Sequence, residues 1–176
     1  VSDRAWERAI LCECPFHPQG GCGLRKLGTY GRVEPEGVRV ARFWCPRAGR
    51  SVSVLPAFLA ARMAGTLDAV EAAVHAVEQA GSIAAAVEQV HPADAEHAIG
   101  PVCAQRSIRR RLRAVGAALL ALVTLLPERF RGIAPTITAL REALGTDRVL
   151  VAVRCIAERH LGALPTPVGF RHRAGT

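Results

Sequence analysis

The sequence predicts a mainly α-helical protein that opens with a small N-terminal β hairpin and continues into a helical domain containing a helix-turn-helix-like segment. Three observations carry that expectation. The β-leaning segments LGTYGRV and GVRVARFWC lie early in the chain, on either side of the turn-forming stretch Glu34-Pro35-Glu36-Gly37. From Pro56 onward, apolar residues recur at helical spacing nearly to the end. Aromatic residues make up only 5% of the 176 residues, so the core has to be built from Ala, Val, Leu and Ile.

In chain order, SDRAWERAI (2–10) reads as a short helix that Ser2 can cap. A Pro/Gly-rich loop, CECPFHPQGGCG (12–23), comes next, then the hairpin, with SVSVL (51–55) as a third strand. Candidate helices cover 56–64, 66–80, 82–90, 104–126, 135–144 and 147–162. Thr66 with Asp68 opens the second, Gly81-Ser82 ends it, and Gly145-Thr146 separates the last two. The tail LPTPVGFRHRAGT has two prolines and no period, and is expected to be extended. The expected division is a ribbon-like domain over 1–55, a helix-turn-helix-like domain over 56–126, and C-terminal helices with the tail over 127–176.

The longest apolar run, residues 114–126, has 13 residues, against about 20 needed for a membrane span. It therefore reads as a buried helix. The start VSDRAWERAILCEC is charged throughout and lacks the pattern of an export signal, so the expected compartment is a reducing cytoplasm. In such a compartment clustered cysteines point to metal before disulfide.

The loop 12–23 holds three cysteines and a histidine. Cys14-Pro15-Phe16-His17 places two ligands at the spacing that grips one edge of a tetrahedron, and a hairpin returning the chain to its start brings Cys45 back to them. Cys22 completes C-x2-H-x4-C-x22-C, with Cys12 as the other candidate for the fourth place. A hairpin this small buries too little apolar area to hold itself, so a structural zinc ion is the expected staple. A zinc ribbon normally draws two ligands from each of two knuckles, but Cys45-Pro46-Arg47-Ala48 has alanine at the second position. Cys103 and Cys155 sit alone on apolar helical patterns and are expected in the core. His75, His91, His97, His160 and His172 form no pair with ligand spacing and are expected at the surface or at caps.

The formal charge is +8, from 22 arginines, one lysine and 15 acids, and it is unevenly spread. Residues 56–99 carry one basic group against six acids, whereas residues 100–113 carry five arginines and no acid. In AQRSIRRRLRAVGAALLAL, Arg106, Arg109, Arg110 and Arg113 share one helix face, opposite Ile108, Leu112, Val115 and Leu119. Such a helix can bury one side and present guanidiniums to phosphates and guanine edges, with Gln105 and Ser107 as further polar contacts. Three successive amphipathic segments ending in this helix have the order of a helix-turn-helix, although HPADAEHAIGPV exceeds its usual tight turn. A solvated basic face, or internal pairing with the acidic 56–99 segment, is the plainer alternative.

The stretches KLGTYGR, VARFWCPRAGRSVSVLP, GSIAAAVEQV and RSIRRRLRAV resemble the N-terminal zinc ribbon and helix-turn-helix region of bacterial insertion-sequence transposases. More closely, they resemble short transposon-linked zinc-ribbon proteins. Against the ribbon pattern R-F-x-C-x-x-C-x-R-T-F-S-x-L-P, the residues Arg42, Phe43, Cys45, Arg50, Ser53, Leu55 and Pro56 match, while Ala48 and Val52 depart. The resemblance spans about residues 12–116 and implies binding to double-stranded DNA in the service of a mobile element. Arg25, Lys26, Arg32 and Arg39 are then candidate backbone contacts, and nucleoid association follows.

Catalysis is not expected. The acids after Arg113 are Glu128, Glu142, Asp147 and Glu158, in a helical region without the parallel sheet that a carboxylate-triad nuclease requires. The alternatives are a transcriptional regulator, or a zinc-stapled adaptor that docks on a transposase or other element-encoded protein without touching DNA. Apolar surface left exposed on the helices of 135–162 would favour the adaptor.

Overall fold

The computed structural model describes residues 9–90 and 100–170. The expected helix over 2–10 falls outside them except for its last two residues, as do His91, His97 and His172. The chain divides into two compact units, Val1–Leu59 and Ala60–Thr176.

In the first unit, β1 (Arg25–Gly31), β2 (Arg39–Cys45) and β3 (Arg50–Val54) form one antiparallel sheet in the order β1-β2-β3. The register runs Lys26↔Phe43 and then Gly28↔Arg42, leaving Leu27 as the extra residue of a bulge. Gly28 sits there at φ +126°, where a side chain would be strained. The turn between β1 and β2 is closed by the Arg32 N–H donating to the Val38 carbonyl. Ala41, Phe43 and Cys45 alternate onto one face of β2 and are buried.

The second unit is helical: α1 (Leu67–Ala80), α2 (Ile83–Val90), α3 (Pro101–Leu125), α4 (Pro127–Phe130), α5 (Ile137–Leu144) and α6 (Val149–Ile156), then a 3-10 turn at Glu158–His160. Thr66 caps α1 by accepting from the Ala69 N–H, and Gly81, left-handed at φ +67°, ends it. Pro101 starts α3 three residues before the sequence expectation, because proline is tolerated in a first turn where its missing N–H has no partner to lose. Along α3, Ala104 and Ile108 pack against Val87 of α2, while Val115, Leu119 and Leu122 enter the main core with Leu67, Val70 and Val74 of α1. Phe130, Leu140, Leu150 and Val153 complete that core from the helices that follow.

The carboxylates of α1 are committed within this unit. Glu71, only 2% exposed, accepts from the Arg141 guanidinium and from the Leu150 N–H at the start of α6. Glu78 accepts from the N–H groups of Ile137 and Thr138 at the start of α5, and Asp68 pairs with Arg148 at 2.8 Å. Carboxylates placed at helix N-termini satisfy orphan donors and favour the helix dipole.

The described part of the tail, residues 164–170, packs within this unit. Leu164 and Val168 are buried in the main core, and the Phe170 N–H donates to the Leu161 carbonyl. Buried Arg154 donates to the Val168 and Pro167 carbonyls, and burial lowers its pKa to about 10, leaving it cationic at neutral pH.

Three expectations are corrected. Residues 56–64 are turns, not a helix: the Ala60 N–H donates to the Gly65 carbonyl and the Ala61 N–H to the Pro167 carbonyl, so the backbone is held by partners outside any helix. Cys103 and Cys155 are exposed, because Ala104, Ile108, Val153 and Ala157 take the inward positions beside them. The helix expected over 147–162 ends at Ile156. Among the described residues, no helix is long and apolar enough to cross a membrane.

Candidate metal centre and arginine cleft

The loop before β1 turns back on itself at His17, whose N–H donates to the Cys14 carbonyl at 3.0 Å. Gly20, Gly21 and Gly23 all have positive φ, between 68° and 81°. These left-handed positions curl the chain so that Cys22 faces Cys14. The last residue of β2, Cys45, closes the group from the other side, as the hairpin geometry predicts.

The ligand atoms of Cys14, His17, Cys22 and Cys45 all lie within 4.8 Å of one another. His17 Nδ1 is 3.8 Å from Cys14 Sγ and 3.4 Å from Cys45 Sγ. A tetrahedral thiolate–imidazole shell has edges of about 3.5–3.8 Å, so these separations suit a bound ion. The four groups could hold a metal ion. Cys22 takes the fourth place, whereas Cys12 is exposed and outside the group. Ala48, where a second knuckle ligand would stand, donates its backbone N–H to Cys45 Sγ at 3.4 Å and packs with Leu24 against the buried cysteines. That contact orients the ligand from outside the shell.

Electrostatics separate the thiols. Burial pushes Cys14 up, but hydrogen bonds with His17, the Phe16 backbone and the neighbouring thiols outweigh it and bring the pKa down to about 6. Burial and the neighbouring Cys14 push Cys22 up. Cys14 is thus a thiolate at neutral pH, the form that binds metal.

The second feature lies in the helical unit. Arg106, Arg109, Arg110 and Arg113 line one cleft of about 750 Å³ together with Arg62 and Met63 from the turns before α1 and Pro165 and Thr166 from the tail. The helix face read from the sequence is therefore the wall of a concavity. Arg62, which sequence reasoning missed, is the one non-glycine among the described residues at positive φ (+55°). Its carbonyl lies 3.5 Å from an Arg110 guanidinium nitrogen. A left-handed arginine costs about 1 kcal/mol or more and is kept only where the surroundings impose it. The sequence pattern reads 56–64 as a helix, and nothing in it places Arg62 beside α3.

Among the described residues, no carboxylate lines the cleft and none pairs with Arg106, Arg109, Arg110 or Arg113. The helix brings like charges together at i,i+3 and i,i+4, and such pairs destabilise by about 0.2–0.5 kcal/mol each. Gln105 and Ser107 are half-buried and are not among the cleft-lining residues. On the ribbon, Arg39 donates to the Thr29 hydroxyl and carbonyl, and Arg32 donates to the Glu34 carbonyl at 3.4 Å. Arg25 and Lys26 occupy successive positions of β1 and so point to opposite faces.

No family model, curated protein or solved structure matches the chain.

Proposed function

We propose that this protein is a non-catalytic, zinc-stapled protein that binds double-stranded DNA through the arginine cleft, in the service of a mobile element. One observation carries the reading: five arginines from two separate segments converge on a cleft that, among the described residues, no carboxylate lines. Guanidiniums gathered in a concavity favour a polyanion, and phosphates release counterions when they meet them. Three of the six acids of the 56–99 segment, Asp68, Glu71 and Glu78, are occupied at α5 and α6, which counts against their pairing with the arginine face.

Zinc is the metal that the donor set favours, since three cysteines and one histidine with ligand atoms within 4.8 Å of one another suit a structural zinc site. The link to mobile elements rests on the ribbon motif, in which Arg42, Phe43, Cys45 and Arg50 match the transposase-like pattern. Within this reading α3 is the DNA-contacting helix. The short Gly81-Ser82 turn joins α1 to α2, and α2 carries no basic side chain, so a helix-turn-helix here would be of a loose form that uses the third helix. The adaptor reading is less favoured: among the described residues, no large apolar side chain in 135–162 is exposed.

The test is the affinity of the zinc-loaded chain for random-sequence duplex at about 0.1 M salt. It is compared with a folded variant carrying Arg106, Arg109, Arg110 and Arg113→Gln. The reading expects at least a tenfold loss in the variant; equal affinity would sink it.

A further inference from the structure

The three strands carry five basic side chains and no carboxylate. The register sorts them. Arg25 pairs with Trp44 and Trp44 with Ser51, while Arg42 lies opposite Gly28 and Ser53. Strand alternation puts Arg25, Trp44, Arg42, Ser51 and Ser53 on one face, with Tyr30 at its far end opposite Val40. The other face holds buried Ala41, Phe43 and Cys45.

The first face is the more open one. Arg25, Arg42 and Ser53 are exposed, Trp44 is half-buried, and Tyr30 is 38% exposed; Val40, beside Tyr30, is its buried member. Arg42 is held across the sheet by donating to the Ser51 hydroxyl at 2.8 Å. An indole flanked by guanidiniums, on a rigid sheet without acids, has the composition of a platform on which an unpaired base stacks while its phosphates meet the arginines. Trp44 and Tyr30 stand about 13 Å apart along the strands, given four residues at the strand rise. A single strand therefore has two aromatic stations along one sheet.

We propose that this face of the sheet, centred on Trp44, Arg42 and Arg25, binds unpaired nucleic-acid bases by stacking. The inference extends the nucleic-acid reading above to a second surface with different chemistry, and it rests on that reading only for the class of partner. Single-stranded DNA and RNA present the same stacking chemistry, and the experiment separates them.

The probe is tryptophan fluorescence of the full, zinc-loaded chain in a Trp6→Phe background, so that Trp44 is the reporter. Oligothymidylate and oligouridylate of about 12 nucleotides are titrated in parallel. The proposal expects saturable quenching of Trp44 by at least one strand, and the strand that quenches names the source. Trp44→Ala should weaken strand binding about 5- to 150-fold in the unsubstituted background, with Trp44→Phe retaining most of the affinity. Arg42→Gln should weaken it less. Retained stoichiometric zinc shows that each variant still folds.

Absence of strand binding overturns the proposal. So does binding that leaves Trp44 emission unchanged, or equal affinity in a folded Trp44→Ala variant. The cleft is judged separately, by duplex affinity of the four-arginine variant, so either surface can fail while the other stands.

Discussion

The two units of this chain hold themselves together by opposite means. In Val1–Leu59 the centre is a knot of three buried cysteines and a histidine beneath a sheet of three short strands. In Ala60–Thr176 the centre is a continuous apolar cluster drawn from five helices and the tail. The first has polar ligand atoms where the second has methyl groups. A small sheet with few large apolar side chains gains too little from burial to offset its chain entropy, and the proposed metal would supply the difference. The helical unit needs no such staple. Its α1 carboxylates, Arg141, Arg148 and Arg154 are engaged in the fold, while Arg62, Arg106, Arg109, Arg110 and Arg113 gather in the cleft.

The sharpest way to break the comparison is to remove the metal. Cys45→Ser, or a strong chelator, should unfold the ribbon unit, since structural zinc contributes about 10 kcal/mol or more in small zinc-held folds. Amide exchange should become fast across β1, β2 and β3 while α1, α3 and α6 keep their protection. Loss of protection in both units together would contradict the division.

The converse experiment has the next largest effect. Leu119, 1% exposed in the main core, should cost about 2–5 kcal/mol when changed to alanine. That loss should appear in denaturant unfolding of the helical unit, with zinc stoichiometry unchanged.

The smallest expected effect has the opposite sign. Changing Arg106, Arg109, Arg110 and Arg113 to glutamine removes four like-charge pairs at i,i+3 and i,i+4. In the absence of DNA it should stabilise the helical unit by about 1 kcal/mol at low salt. A variant less stable than wild type would show that these arginines serve the fold.

Much of this was legible in the sequence, for reasons that differ by region. The ligand set is local, since three of its four members lie within nine residues, and Cys45 follows from the hairpin that returns the chain. The arginine face follows from the helical period alone. The segment 56–64 was misread because its backbone is held by the Gly65 carbonyl and by the Pro167 carbonyl, the latter more than a hundred residues away. Arg62 was missed for the same reason, and with it the fact that the arginines line a cleft. Cys103 and Cys155 show a further limit. An apolar pattern one residue wide cannot tell which side of a helix its neighbours will occupy, and Ala104 and Val153 took the inner places. The packed tail was equally out of reach, because its anchor, Arg154, reads in the sequence as one more surface charge.

The measurement that tests the account most directly is the salt dependence of duplex binding, taken for wild type and the four-arginine variant. Each phosphate neutralised contributes about −0.9 to the slope of log K against log salt. If the cleft is the contact surface, wild type shows a steep slope and the folded variant a slope shallower by about 3–4. Equal slopes in the two proteins would contradict the account, and would leave the arginines as a solvated face.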